Sequence, residues 1–250
     1  MMATFRNVLK VARDDGLIDV VPDTPRPTQR DNPRSLFYFA PLVPPEQDEW
    51  KILKDGAKQL VADGTAIRGL PVTDELYDLI LFCVQSFVRP STSELYALKH
   101  SDVAIADDPV RLVLTIRKGK TGFRMASTMG AAVAVYKRVQ ARNPNATGED
   151  YLFLPQYPNR ATAARIIQRQ FNHLLAVTNL KYDARARTNR SMYSLRHTAI
   201  CMRLELSRGQ VNIWTLAKNA GTSVDQIQRF YAKNLPLSEE LIKNLQTFGR

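Results

Sequence analysis

DVAIADDPVRLVLTIRKGKTGFRMAST (102–128) is the one stretch of this chain in which the apolar residues follow the period of a strand. Its β-branched runs, 103–105, 111–117 and 123–127, are separated by an Asp-Asp-Pro turn and a Gly-Lys-Thr-Gly turn, which predicts a small antiparallel meander of three strands. Outward from it in both directions the helical period takes over. Upstream, 44–64 and 72–87 read as helices, with a partial cap signal at Thr73; downstream the spacing predicts helices over 130–142, 160–178, 194–207, 210–219, 223–233 and 238–247. The fold class that follows is mainly α (α+β), a helical domain carrying one three-stranded antiparallel sheet.

Farther upstream, VPDTPRPTQRDNPRS (21–35) has proline at 22, 25, 27 and 33, so it cannot continue a helix and reads as an extended linker. Ahead of the linker, residues 4–17 form a short amphipathic pattern with Phe5, Val8, Leu9 and Val11 at helical spacing. The organisation expected is a short amino-terminal piece (1–20), a linker (21–36) and one large domain (37–250).

The 250 residues suffice to bury a core without staples. Cys83 and Cys201 both sit in apolar runs and read as buried free thiols of a reducing compartment. No apolar run reaches the length of a membrane span and the amino terminus lacks a signal-peptide pattern, so a cytoplasmic protein without a membrane partner is expected. The net charge of +11 is unevenly placed: residues 151–250 hold 15 Lys and Arg against 5 Asp and Glu, whereas residues 1–150 hold 20 against 19. A localised basic surface is the electrostatic footprint of a polyphosphate partner, although a solvated face used for solubility gives the same composition.

Two carboxy-terminal stretches carry the chemistry. SMYSLRHTAICMRL (191–204) places Leu195-Arg196-His197 35 residues ahead of Tyr231, which lies in LAKNAGTSVDQIQRFYAKNL (216–235). Upstream, FVRPSTSELYALKHSDV (87–103) sets Arg89 before a Glu94-Leu-x-x-Leu helix and Asp102, and the hairpin turn reads Lys118-Gly-Lys120-Thr-Gly. Taken singly each has an ordinary reading: Arg89 as a helix-end arginine paired with Glu94, the lysines as solvated turn residues, Tyr231 as an aromatic on the core face beside Ile227 and Phe230. Jointly they are far more specific.

Together these residues resemble the catalytic domain of the tyrosine recombinases, or phage integrases, over about residues 37–235. The resemblance implies that Arg89 and Arg196 clamp a scissile phosphate, that Glu94 supports Arg89, and that Tyr231, nine residues after the Gly221-Thr222 pair, is the nucleophile. It further implies a hairpin lysine as general acid, Lys120, with Lys118 as the alternate if the strand register slips. Ser194 reads as the N-cap of a helix beginning at Leu195, which would bring helix amides and the Arg196 guanidinium to one anion site. His197, about 100° around that helix from Arg196, reads as a supporting, packed and hydrogen-bonded residue.

Two positions depart from the family pattern. Tyr193 and Thr222 stand where the family usually has His, and His or Trp; either can donate a hydrogen bond to phosphate, and neither is an imidazole. The function implied is site-specific cleavage and rejoining of duplex DNA through a 3′-phosphotyrosyl intermediate by a mobile-element recombinase that is a monomer in solution and a homotetramer on DNA, with no metal and no cofactor. The alternatives are an integrase-like DNA-binding protein with weakened catalysis and a type IB topoisomerase-like DNA-relaxing enzyme. Family members carry an amino-terminal DNA-clamping domain, and NVLKVARDDGLID (7–19) resembles its last helix, so residues 1–20 read as a remnant of it.

Overall fold

The computed structural model describes residues 2–23, 34–207, 210–231, 242–243 and 246, which fall into two units, Met1–Asp31 and Asn32–Arg250. In the first unit, helix α1 (Met2–Asp14) stops three residues before the position its apolar spacing suggests. The cause is Gly16, left-handed at φ 73°, which lets the amides of Gly16 and Leu17 close onto the carbonyls of Arg13 and Ala12. Phe5, Val8 and Val11 of this helix are exposed.

The second unit begins with an extended segment whose Leu36, Phe37 and Phe39 are buried, so Ser35 and Leu36, at the end of the expected linker, belong to the core. The fully buried Arg190 fixes this segment: its guanidinium donates to the carbonyls of Leu36, Leu180 and Tyr182 and to the Glu49 carboxylate. Helix α2 (Glu49–Ala62) follows, its first turn capped by the Asp48 side chain accepting from the Lys51 amide at 2.8 Å. Beyond a two-residue strand pair, β1 (Ala66–Ile67) with β2 (Leu70–Pro71), comes helix α3 (Asp74–Ser86). Leu76, Leu79, Ile80, Phe82 and Cys83 of α3 are all excluded from solvent, which makes it the central helix of the unit.

The meander expected from residues 102–128 is present as β3 (Val103–Asp107), β4 (Val110–Gly119) and β5 (Gly122–Ser127), antiparallel in the order β3-β4-β5. Leu114 pairs with both Val103 and Ala126, so one face carries Leu112, Leu114, Ile116 and Ala126 into the core while Phe123 and Met125 face outward. The β4–β5 register shifts between Ile116 and Gly119, a bulge immediately before the turn at Lys120-Thr121.

Helices α4 (Ala131–Arg142) and α5 (Arg160–Val177) follow, then a second two-residue pair, β6 (Tyr182–Asp183) with β7 (Thr188–Asn189). The chain closes through α6 (Met192–Leu206), α7 (Ile213–Ala220) and α8 (Val224–Phe230). Most of the helix expected over 238–247 lies outside the described residues, as does most of the linker. Cys83 and Cys201 are free and buried. No helix among the described residues is long and apolar enough to cross a membrane.

Candidate active site

Phe87 ends α3 in the left-handed conformation, φ 59°, and turns the chain so that Arg89 points back under the helix. Its guanidinium meets Glu94 at 2.5 Å while its amide donates to the other carboxylate oxygen at 3.1 Å, and both residues are buried. Arg124, from the inner face of β5, closes on the same carboxylate with two further hydrogen bonds of 3.2 and 2.7 Å. Burial alone would raise the Glu94 carboxyl, but the guanidinium groups of Arg124 and Arg89 hold it down to about 2. A fully ionised carboxylate between two arginines is the result.

Arg196 corrects one expectation. Helix α6 starts at Met192, not Leu195, because Ser191 is the cap and Ser194 its reciprocal partner, the Ser191 amide donating to Ser194 Oγ at 3.1 Å. Arg196 is thus beyond the first turn, and the helix amides do not converge with its guanidinium. Carbonyls at two helix ends meet it instead: it donates to Phe87 O at the end of α3 and to Ala220 O at the end of α7, while Arg89 donates to Gly221 O. The last carbonyls of a helix lack internal partners and carry the negative end of its dipole, so they hold cations well. Gly221 is left-handed at φ 64°, and a Cβ there would stand 2.9 Å from the Arg124 guanidinium. Burial, and then Arg89, lower Arg196 to about 10.

Tyr231 follows α8 directly and is 6% exposed. Its hydroxyl lies 2.8 Å from Nδ1 of His197. His197 is packed and hydrogen-bonded, with Tyr231 as its partner: the ~100° step along α6 carries it away from Arg196, and Tyr231 arrives after α8 on the face to which it points. Burial, and then Arg34 and Arg196, lower His197 to about 3, so its imidazole is neutral. Burial raises Tyr231 to about 12, against the opposing pull of Arg196, Arg34 and Arg89. A neutral phenol hydrogen-bonded to a neutral imidazole is the state these shifts select.

The remaining positions lie at the margin. Tyr193 is 43% exposed with its ring 6.4 Å from that of His197. Thr222 is half-buried, and its amide donates to Ala217 O in closing the end of α7. Lys120 and Lys118 are exposed on the hairpin, and neither has a hydrogen-bond or ion-pair partner among the described residues. Two cations escaped the sequence reading. Arg124 was legible: it pairs with Ile116 and alternates with Ala126, which puts a charge on the buried face of a strand. Arg34, whose guanidinium stacks 4.3 Å from the centre of the Phe230 ring, carried no local signal.

No family model matches the sequence, and no curated protein does. Solved structures do match the fold. The chain is similar to the crystal structure of XerA recombinase, with a TM-score of 0.54 and 19% identity, over 97% of this chain and 74% of that one. The Tn1549 transposon integrase in complex with circular intermediate DNA matches with a TM-score of 0.51 and 17% identity, over 97% and 75%. XerH site-specific recombinase, solved in a pre-cleavage complex with its difH substrate, matches with a TM-score of 0.52 and 13% identity, over 84% of this chain and 55% of that one. The chain shares the fold of these recombinase and integrase structures.

Proposed function

We propose that this chain cleaves and rejoins duplex DNA as a site-specific tyrosine recombinase, through a 3′-phosphotyrosyl intermediate. The observation that carries the reading is the convergence of Arg89 and Arg196, 107 positions apart in sequence, on adjacent carbonyls at the end of one helix, with Arg196 also acting on the buried Tyr231. The basic excess of residues 151–250 supports a DNA partner, and so do the DNA complexes of XerH and the Tn1549 integrase.

In this reading Tyr231 loses its phenolic proton to water, its oxygen attacks phosphorus as the bond to the 5′ oxygen breaks, and Arg89 and Arg196 stabilise the charge of the pentacoordinate phosphorane. The planar guanidinium forks each match two phosphate oxygens. Lys120, or Lys118 across the bulge, protonates the departing 5′ oxygen. Tyr193 and Thr222 add hydrogen bonds to the phosphate. The phosphotyrosyl ester retains the backbone bond energy for rejoining, so the cycle needs no cofactor. Residues 1–20 stand as the end of a DNA-clamping domain and 37–250 as the catalytic domain, a monomer in solution that assembles as a tetramer on DNA.

The test is incubation of the full chain with nicked suicide DNA carrying the element's junction sequence. A covalent protein–DNA adduct is expected. DNA binding with no adduct would favour a relative whose catalysis has been lost, and relaxation of supercoils without site preference would favour the topoisomerase reading.

A further inference from the structure

We propose that Arg34 is a positioning residue of the cleavage site, a cation that the first segment of the second unit holds beside the Tyr231–His197 pair. This rests on the recombinase reading for its consequence, though not for its geometry.

The segment is fixed along α6. Ser35 Oγ lies 2.8 Å from Ser194 Oγ, and the Phe37 amide donates to Thr198 Oγ1 at 2.8 Å. Ser194, His197 and Thr198 stand at i, i+3 and i+4, one face of the helix. The chain therefore runs over the face that presents His197. The amide of Leu36 is held by Asp183 and its carbonyl by Arg190, so the segment has no freedom to slide. At its start the Arg34 guanidinium rests on the Phe230 ring, one residue before Tyr231.

The other charged or titratable groups around the pair are Arg196, Cys201 and Tyr193 of α6 and Arg89 beyond α3. Arg196 and Arg89 are buried and tied to helix-end carbonyls, whereas Arg34 is exposed and has no carboxylate partner among the described residues. A cation beside the pair acts on both members. It disfavours a positive imidazolium and favours a negative phenolate, in agreement with the direction in which Arg34 moves each group. His197 is kept as a neutral hydrogen-bond acceptor that aims the Tyr231 hydroxyl, and the phenolate that attacks is formed with a cation already beside it.

Arg34→Gln and Arg34→Lys in the full chain test this by two readouts. The first is the NMR titration of His197 in the free protein, identified by the resonance lost in His197→Asn. The second is the pH profile of single-turnover adduct formation on nicked suicide DNA. In Arg34→Gln, His197 should titrate at higher pH than in the parent, and cleavage should slow by about tenfold at neutral pH with its alkaline rise displaced upward. Arg34→Lys should stay close to the parent in both. An unmoved His197 resonance in Arg34→Gln overturns the assignment, as does equal slowing of the Gln and Lys variants. A parent that forms no adduct defeats the recombinase reading alone, because the His197 titration still decides the role of Arg34.

Discussion

The Tyr231 hydroxyl sits 2.8 Å from His197 Nδ1, and the site moves the two groups apart on the pH scale, Tyr231 up to about 12 and His197 down to about 3. Neither changes charge near neutrality. The cleavage rate should therefore show no step near ~6.5, the ordinary histidine value, and should rise only toward alkaline pH as Tyr231 ionises. A profile with an acid limb near ~6.5 that disappears in His197→Asn would mean that His197 gains and loses a proton during the reaction.

The same shift has a stability consequence. His197 is neutral in the folded protein and takes up a proton on unfolding below its ordinary value, so the unfolded state binds more protons as the pH falls. The stability that His197 contributes is complete above ~6.5 and is lost progressively as the pH falls toward about 3. Urea unfolding of the parent at several pH values should show that loss, and His197→Asn should show a shallower dependence over the same window. Equal slopes in the two proteins would place His197 in a solvated, ordinary setting.

Arg89→Ala and Arg196→Ala should each slow adduct formation by at least ~10²-fold, the effect typical of losing one preorganised donor. Lysine at either position should not restore the rate, because it lacks the planar fork. Of Lys120→Ala and Lys118→Ala, only one should be severely slow, and DNA with a 5′-thiolate leaving group, which needs no acid, should rescue that one. Cleavage within threefold of the parent would remove an arginine from the site.

Gly221→Ala should cost both stability and cleavage. Its left-handed φ of 64° disfavours any side chain, and the new Cβ would press on Arg124 at 2.9 Å while the Gly221 and Ala220 carbonyls hold Arg89 and Arg196. A loss of about 1 kcal/mol in urea unfolding is expected from the backbone conformation alone. Unfolding and cleavage both at parental values would show that the turn relaxes without moving the arginines.

How much of this the residues revealed differed by element. The sheet was legible because alternation along 111–117 and 123–127 survives without tertiary help, and Arg89, Arg196 and Tyr231 were legible as a joint pattern. The start of α6 was misplaced because Ser191 and Ser194 are both competent caps, and the reciprocal bond between them decides for the earlier one. The carbonyls that hold the two arginines were invisible, since a backbone acceptor has no residue type. The relation of Arg34 and His197 to Tyr231 was likewise invisible, because it is made by elements far apart in sequence meeting on one helix face.

Buried Glu94 should respond to Arg124 more than a surface pair does. Arg124→Leu leaves the carboxylate with Arg89 as its remaining guanidinium partner, and a loss of about 1–3 kcal/mol in urea unfolding is expected, less than for a wholly orphaned buried charge. In the parent, Glu94 contributes stability that is present above ~4.3 and lost as the pH falls toward about 2. With Arg124 removed the folded-state value moves back toward ~4.3, so that loss should be smaller and complete at higher pH. Parental stability across the acid range would show that Arg124 contributes nothing net.

The account turns on Tyr231 as the nucleophile, and covalent trapping measures that directly. On nicked suicide DNA the parent should form an adduct whose digestion yields a phosphotyrosyl peptide containing residue 231. Tyr231→Phe should bind the same DNA with nearly unchanged affinity and form none, because only the attacking oxygen is removed. An adduct formed by Tyr231→Phe, or one mapped to another tyrosine, would contradict the account.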